Sequence, residues 1–234
     1  MPHGTPDWGL VGPKSTVYGL DDLGEHAVRL GSPHLWDRLG DLLWQTTFAH
    51  GLGDVTLMVA IAGSSVHLHT GYARQGAFCA QLTEPDIALA NAYIQKHLPL
   101  PVTSRVGIEC SFSFDDDLLY FGVGFTGNNG ALTFEAYARY DHQNGRLEYE
   151  DNLGVYQLIT DDFYLREFFD DTHVMKLVVD FFSEEYVRVI VDDQTFLLTG
   201  IAYRTFGVPA NTLLIASVRG EPDAGKIAVS QDQP

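Results

Sequence analysis

From Arg105 to Phe114 the chain reads RVGIECSFSF. Val106, Ile108, Cys110, Phe112 and Phe114 alternate with Arg105, Gly107, Glu109, Ser111 and Ser113. Side chains of a strand switch faces at every residue, so this pattern predicts a β-strand with one buried face. An acidic turn follows at Asp115 to Asp117, and LLYFGVGF then sets Leu119, Phe121, Val123 and Phe125 on one parity. TGNNG supplies residues that accept positive φ, and ALTFEAYARY repeats the alternation through Leu132, Phe134, Ala136, Ala138 and Tyr140. The turn DHQNG leads into RLEYE, then DNLG, then VYQLI.

The same signal runs on through the C-terminal third. MKLVVDF groups Met175, Leu177 and Val179, YVRVIV groups Val187, Val189 and Val191, and TFLLT adds Phe196 and Leu198. TLLIASV and KIAVS close the chain, and DLLWQTTF, DVTLMVAIAG, SSVHLHT and AFCAQL read as strands upstream. Strands at this spacing, with no helical segment between them, predict an antiparallel meander folded into two packed sheets. The expectation is an all-β, antiparallel two-sheet jelly-roll sandwich over residues 41–234.

The first forty residues differ. In DDLGEHAVRLG, Leu20, Leu23, Ala27 and Leu30 recur at helical spacing behind Asp21 and Asp22, which suits a short helix weakened by Gly24. Glycines and prolines deny this stretch a core of its own, yet it carries Trp8, Tyr18, Leu23, Leu30 and Trp36. Residues 1–40 are therefore expected to form an arm whose apolar anchors pack on the sandwich or on a neighbouring subunit.

Charge narrows the partners. Acidic residues outnumber basic ones 31 to 14, a formal net charge of -17, so nucleic acid and anionic membranes are repelled. No apolar run approaches membrane-spanning length and no secretory leader opens the sequence, so neither membrane insertion nor ordinary export is expected. Two cysteines make no disulfide framework. In FCAQL the inward set Phe78, Ala80 and Leu82 turns Cys79 the other way, Cys110 joins the apolar set of its strand, and both are expected to be unpaired thiols.

THVMKLVVDF followed by YVRVIVDDQTF resembles the paired strands of concanavalin-like and laminin-G-like jelly rolls, with a His before an apolar run and an acidic turn after the next strand. HTGYARQGAFCAQL is similar to a segment of carbohydrate-binding modules in which a Gly and an aromatic residue lead into a core strand. YGLDDLGEHAVRLGSP and DRLGDLLW ahead of the sandwich resemble uncharacterised jelly-roll structural proteins of bacteria and bacteriophages. That last resemblance implies a non-catalytic assembly role, such as a virion decoration or tail component. Its partners would be other protein subunits, in a homo-oligomer or with capsid or tail proteins, and its place a virion or other extracellular assembly, or else the cytoplasm. A lectin-like glycan-binding module and a glucanase-like glycoside hydrolase are the alternatives.

Individual residues bear on that choice. Tyr120, Tyr137, Tyr149 and Tyr156 include members expected to face away from the core, where rings either stack on sugars or pair across strands. Glu148 and Glu150 share a strand face, but Glu148-Tyr149-Glu150-Asp151-Asn152-Leu153 departs from the Glu-x-Asp-x-x-Glu pattern of concanavalin-like glucanases. They are expected on the solvated face of an edge strand, and no catalysis is expected of them. His67 and His69 share a strand face as metal ligands can, with no third ligand in view. Acidic turns attract calcium as well as serving as plain turn caps, and the resemblance favours Asp170, Asp171, Asp192 and Asp193 as the calcium candidates. In DDFYLREFFDD, a short loop helix is expected to bury Phe163, Leu165, Phe168 and Phe169.

Overall fold

In a computed structural model, the described residues are 43–61, 63–73, 77–83, 91–101, 105–115, 118–168, 171–207, 212–222 and 226–230. The arm, with Trp8, Tyr18, Leu23, Leu30 and Trp36, lies outside them, as do Phe169 and Asp170. The strands are β1 Leu57–Ile61, β2 Ser65–His69, β3 Cys79–Thr83, β4 Asn91–Leu98, β5 Arg105–Phe114, β6 Leu118–Asn128, β7 Thr133–Asp141 and β8 Arg146–Glu150. They continue with β9 Tyr156–Thr160, β10 His173–Asp180, β11 Glu185–Val191, β12 Gln194–Leu197, β13 Arg204–Phe206, β14 Leu213–Pro222 and β15 Lys226–Ser230. Every pairing among them is antiparallel.

The strands form two sheets of a jelly-roll sandwich. One runs β1-β4-β14-β6-β7-β8-β9 with β13 also on β7, and the other runs β12-β11-β10-β5-β15-β3-β2. Only β6 to β9 and β10 to β12 are meanders, because β5 and β6, adjacent in sequence, lie in opposite sheets. Short acidic residues suit such a reversal, and the change of sheet lets both strands aim their phenylalanines at one core. Phe112 of β5 and Phe121 of β6 meet there with ring centroids 3.7 Å apart. Among the described residues no helix is long and apolar enough to cross a membrane.

Local expectations are corrected at several points. The run DLLWQTTF is irregular over its described residues 43–48, where Phe48 is buried and Trp44 packs under Lys96. Strand β4, absent from the expected set, pairs on both edges, with β1 and β14. A bulge where β11 meets Val178 and Val179 moves Tyr186 into the core and leaves Val187 half-buried. A register shift at the start of β6 buries Leu118 rather than Leu119. The stretch 163–168 forms no helix: Phe163 and Leu165 are buried in alternation, while Tyr164 and Phe168 are exposed. Cys79 faces away from the Ala80 and Leu82 set yet is fully buried, because both faces of β3 are covered. Its thiol donates to the His69 carbonyl, burial raises its pKa, and neither cysteine is in a disulfide.

Candidate functional site

The chemistry collects on the face of the eight-stranded sheet that is turned away from the core. On β6 the core parity is Phe121, Val123 and Phe125, so the opposite parity presents Tyr120, Gly122, Gly124 and Thr126. On β7 the core parity Phe134, Ala136, Ala138 and Tyr140 leaves Glu135, Tyr137 and Arg139 on the outer side. Register places Gly122 opposite Arg139, Gly124 opposite Tyr137 and Thr126 opposite Glu135. Across β6 the face continues with Arg219 and Ser217 of β14 and then with Tyr93 and Gln95 of β4. On the other side β8 sets Glu148 opposite Arg139, and β9 sets Tyr156 opposite Glu150.

Arg139 is the centre of this face. Its guanidinium carbon sits 4.0 Å from the Tyr120 ring centroid and 3.6 Å from that of Tyr156, so the cation is held between two aromatic rings. Its Nε donates to Glu148 Oε2 at 2.8 Å. With these rings, Gly122, Tyr137 and Arg219 line a shallow depression. A second ion cluster lies beside it, where Arg204 of β13 donates to Glu135 at 2.9 Å and lies 3.9 Å from Glu150. Burial first, and the neighbouring Glu135 second, raise the pKa of Glu150, with Arg204 opposing them.

Glycine shapes the floor. A Cβ on Gly124 would fall 2.1 Å from Tyr137 Cδ1 and 2.6 Å from the Ala136 carbonyl, so the Tyr137 ring lies directly on the bare backbone. Its hydroxyl shares a hydrogen bond of 2.8 Å with Thr126. Burial raises the phenol's pKa against the hydrogen bonds from Thr126 and Ser217, and Gln95 donates in turn to Ser217 at 3.2 Å. His97, on the same parity of β4 as Tyr93 and Gln95, has its Nε2 buried with no hydrogen-bond partner.

The core supports this face from below. The Tyr186 hydroxyl, reaching over from β11, accepts from the Tyr137 amide at 3.0 Å and donates to the Glu150 carbonyl at 2.7 Å. It fills the place where the edge of β7 passes from β13, which pairs with residues 133–135, to β8, which pairs with residues 138–141.

Of the four tyrosines singled out in the sequence, Tyr120, Tyr137 and Tyr156 come together here. Tyr149 instead packs against the core, edge-on to Tyr186 at 5.6 Å. Glu148 and Glu150 are on the same face but are buried, each 9% exposed, and β8 lies between β7 and β9. This corrects the expectation of a solvated edge strand: the flanking strands and the arginines cover both acids. Arg139, Glu135, Gln95, Ser217 and His97 were not singled out, although the glycines at alternate positions of FGVGF mark a strand face without side chains.

Among the described residues the remaining candidates do not assemble. Asp192, in a left-handed turn conformation, accepts from His173 Nδ1 at 2.7 Å and from the Val174 amide at 2.8 Å, which commits both carboxylate oxygens. Asp171 pairs with Arg166 at 3.5 Å, Asp193 is exposed, and Asp170 lies outside the described residues. His67 donates to Gln81 at 2.7 Å, and His69 Nδ1 accepts from the Gly71 amide at 2.9 Å while its ring stacks on Tyr72. Among the described residues no group of three or more His, Cys, Asp or Glu is placed to hold a metal ion.

No family model and no curated protein matches this sequence. Among solved structures, the chain is similar to a cellulose-induced protein, Cip1, at 12% identity with a TM-score of 0.53 over 79% of this chain and 93% of that one. It is also similar to an endo-β-1,4-glucuronan lyase from the fungus Trichoderma reesei, at 8% identity with a TM-score of 0.52 over 77% of this chain and 90% of that one. At such identities the likeness establishes the sandwich fold alone.

Proposed function

We propose that the protein is a non-catalytic carbohydrate-binding sandwich that seats a neutral polysaccharide on the outer face of the eight-stranded sheet, around Tyr120, Arg139 and Tyr156. The observation that carries this reading is the Arg139 guanidinium clamped between two tyrosine rings and anchored by Glu148. Sugar rings present C–H faces that stack on aromatics and hydroxyls that hydrogen-bond to planar polar groups. The clamp holds all three side chains before a ligand arrives, which lowers the entropy lost on binding.

Charge selects the neutral sugar. The chain carries -17 overall, but on this face Arg139, Arg204 and Arg219 stand against Glu135, Glu148 and Glu150. A locally balanced surface offers hydroxyl partners without attracting a polyanion. Glu148 is neutralised by Arg139 and acts as its counter-ion, so no general acid is assigned to it. The shared fold of the glucuronan lyase supports a polysaccharide reading at the level of fold and lends it no residue. An assembly role rested on residues 1–40, outside the described residues, and no feature of the face favours it.

Affinity electrophoresis through gels containing soluble glucans, xylans and mannans tests the reading. At least one neutral glycan should retard the protein equally at low and high salt, and Tyr156→Ala should weaken that retention about tenfold. If no glycan retards the wild type, the reading is wrong. Release of reducing ends above a boiled control would overturn its non-catalytic part.

A further inference from the structure

A second cavity lies away from the polysaccharide face, at one end of the sandwich. It has a volume of about 130 Å³, and its walls include Phe134, Phe181, Leu132, Leu100 and Tyr203, with Glu184 at its rim. The rings pack on one another, Phe134 on Phe181 at 4.6 Å and Phe134 against Tyr203 at 5.9 Å. Asn129 and Thr205 complete the lining, and a space of this size with an aromatic side and a polar side takes a single six-membered ring.

Two polar side-chain groups on this cavity have no partner among the described residues. Tyr203 is 3% exposed, and its hydroxyl makes no hydrogen bond among the described residues although that oxygen is not wholly enclosed. Glu184 is exposed, and its carboxylate has neither a hydrogen bond nor an ion pair among the described residues. The two residues are adjacent, since the Tyr203 amide donates to the Glu184 carbonyl at 3.3 Å. Burial, with Glu184 and Asp180 nearby, raises the Tyr203 phenol, so it remains a neutral hydroxyl.

The backbone adds a third observation. Glu184 ends the β10–β11 turn at φ 57, in the left-handed region where Gly or Asn is the ordinary choice. The preceding turn is held by Asp180, whose carboxylate accepts from the Phe182 and Ser183 amides. This turn, like those at Asp162 and Asp192, sets a non-glycine residue at positive φ, and it carries Glu184 at the rim of the cavity.

We propose that this cavity binds a small organic ammonium, with the apolar body against Phe134 and Phe181 and the cationic head shared between the Glu184 carboxylate and the Tyr203 oxygen. An unpaired acid beside aromatic rings selects a cation over a neutral or anionic ligand of the same shape. The net charge of -17 adds a long-range attraction of the same sign.

Calorimetric titration of the full chain with benzylammonium, benzyl alcohol and phenylacetate provides the test. Benzylammonium should bind best and phenylacetate worst. Glu184→Gln should erase an ammonium preference of about fivefold over the alcohol, and Tyr203→Phe should weaken both ligands while leaving the cavity's shape. Leu132→Trp should abolish binding by filling the space, with Leu100→Phe as the substitute should that variant fail to fold. Equal binding of benzylammonium and benzyl alcohol, no heat from either, or undiminished binding in the filled variant would each overturn the proposal. None of these outcomes bears on glycan retention, which is measured on a separate face.

Discussion

The hydroxyl of Tyr186, rooted in one sheet, donates to the backbone carbonyl of Glu150 in the other at 2.7 Å. The same oxygen accepts from the Tyr137 amide. One buried phenol therefore fixes the backbone of two residues whose side chains belong to the proposed glycan face. Tyr186→Phe keeps the ring and orphans a buried N–H, so it should cost about 1–3 kcal/mol in urea unfolding with an unchanged slope. Glycan retention should weaken as well, although residue 186 never reaches that face. A variant as stable as wild type would mean that the bond is not made in solution.

Gly124→Ala tests the floor. Its Cβ would strike the Tyr137 ring and the Ala136 carbonyl together, so Tyr137 must lift and give up its bond to Thr126. Overpacking of this kind costs about 1–3 kcal/mol. The same substitution at Gly53, where a Cβ would meet nothing within 4 Å, is the control and should change stability far less.

Glu150→Gln should stabilise the fold at neutral pH. Burial, then Glu135, raise this carboxyl above its ordinary value of 4.5, more than Arg204 and Arg219 lower it. With the folded pKa raised, the group's contribution is fully present below the unfolded pKa and is lost as pH rises through the folded one. Ionised Glu150 is thus a penalty at pH 7 that glutamine removes. The gain should vanish on acidification below the ordinary carboxylate range. A variant less stable than wild type at pH 7 would show that the Arg204 pairing outweighs burial.

His173→Gln should destabilise the fold, with a pH dependence of the same sign as that of Glu150. Burial works against the charge on His173, but the Asp192 carboxylate and the Arg166 carbonyl outweigh it and raise its pKa from 6.5. Its ring nitrogens lie 2.7 Å from Asp192 and 3.2 Å from that carbonyl, so the doubly protonated ring ties the 163–168 segment to the β11–β12 turn. This contribution is complete below the unfolded pKa of 6.5 and fades as pH rises through the folded value. The stability gap between wild type and variant should be largest in mild acid and narrow in mild alkali. A gap constant across that range would rule out His173 as the titrating group.

Glu184→Gly should raise stability by about 1 kcal/mol, because glycine carries no Cβ to clash at φ 57. Thermal unfolding reads this directly. A loss would show that the glutamate side chain stabilises the turn in a way its lack of partners does not reveal.

Most of the fold was legible in the chain, because alternation with period two is a local property and each strand carries its own copy. RVGIECSFSF and ALTFEAYARY specify strand, buried parity and turn without reference to any neighbour, and the structure follows them through Phe112, Phe114, Phe134 and Tyr140. Parity also separated the side chains of Tyr120 and Tyr137 from the core before any register was known.

What tertiary structure decided was everything that depends on which strands become neighbours. Arg139 meets Tyr120 and Tyr156 only because β6 and β8 flank β7 and β9 lies beyond β8. Glu148 and Glu150 are buried for the same reason, since a strand's sequence does not say whether it ends at an edge. Tyr186 entered the core through one bulge, whose extra residue reverses the parity that YVRVIV displays and sends Val187 outward. The cavity at Tyr203 joins residues from β7, β13, the β10–β11 turn and the connections after β4, β6 and β12. No local pattern encodes that meeting, because it is created by the closure of one sheet over the other.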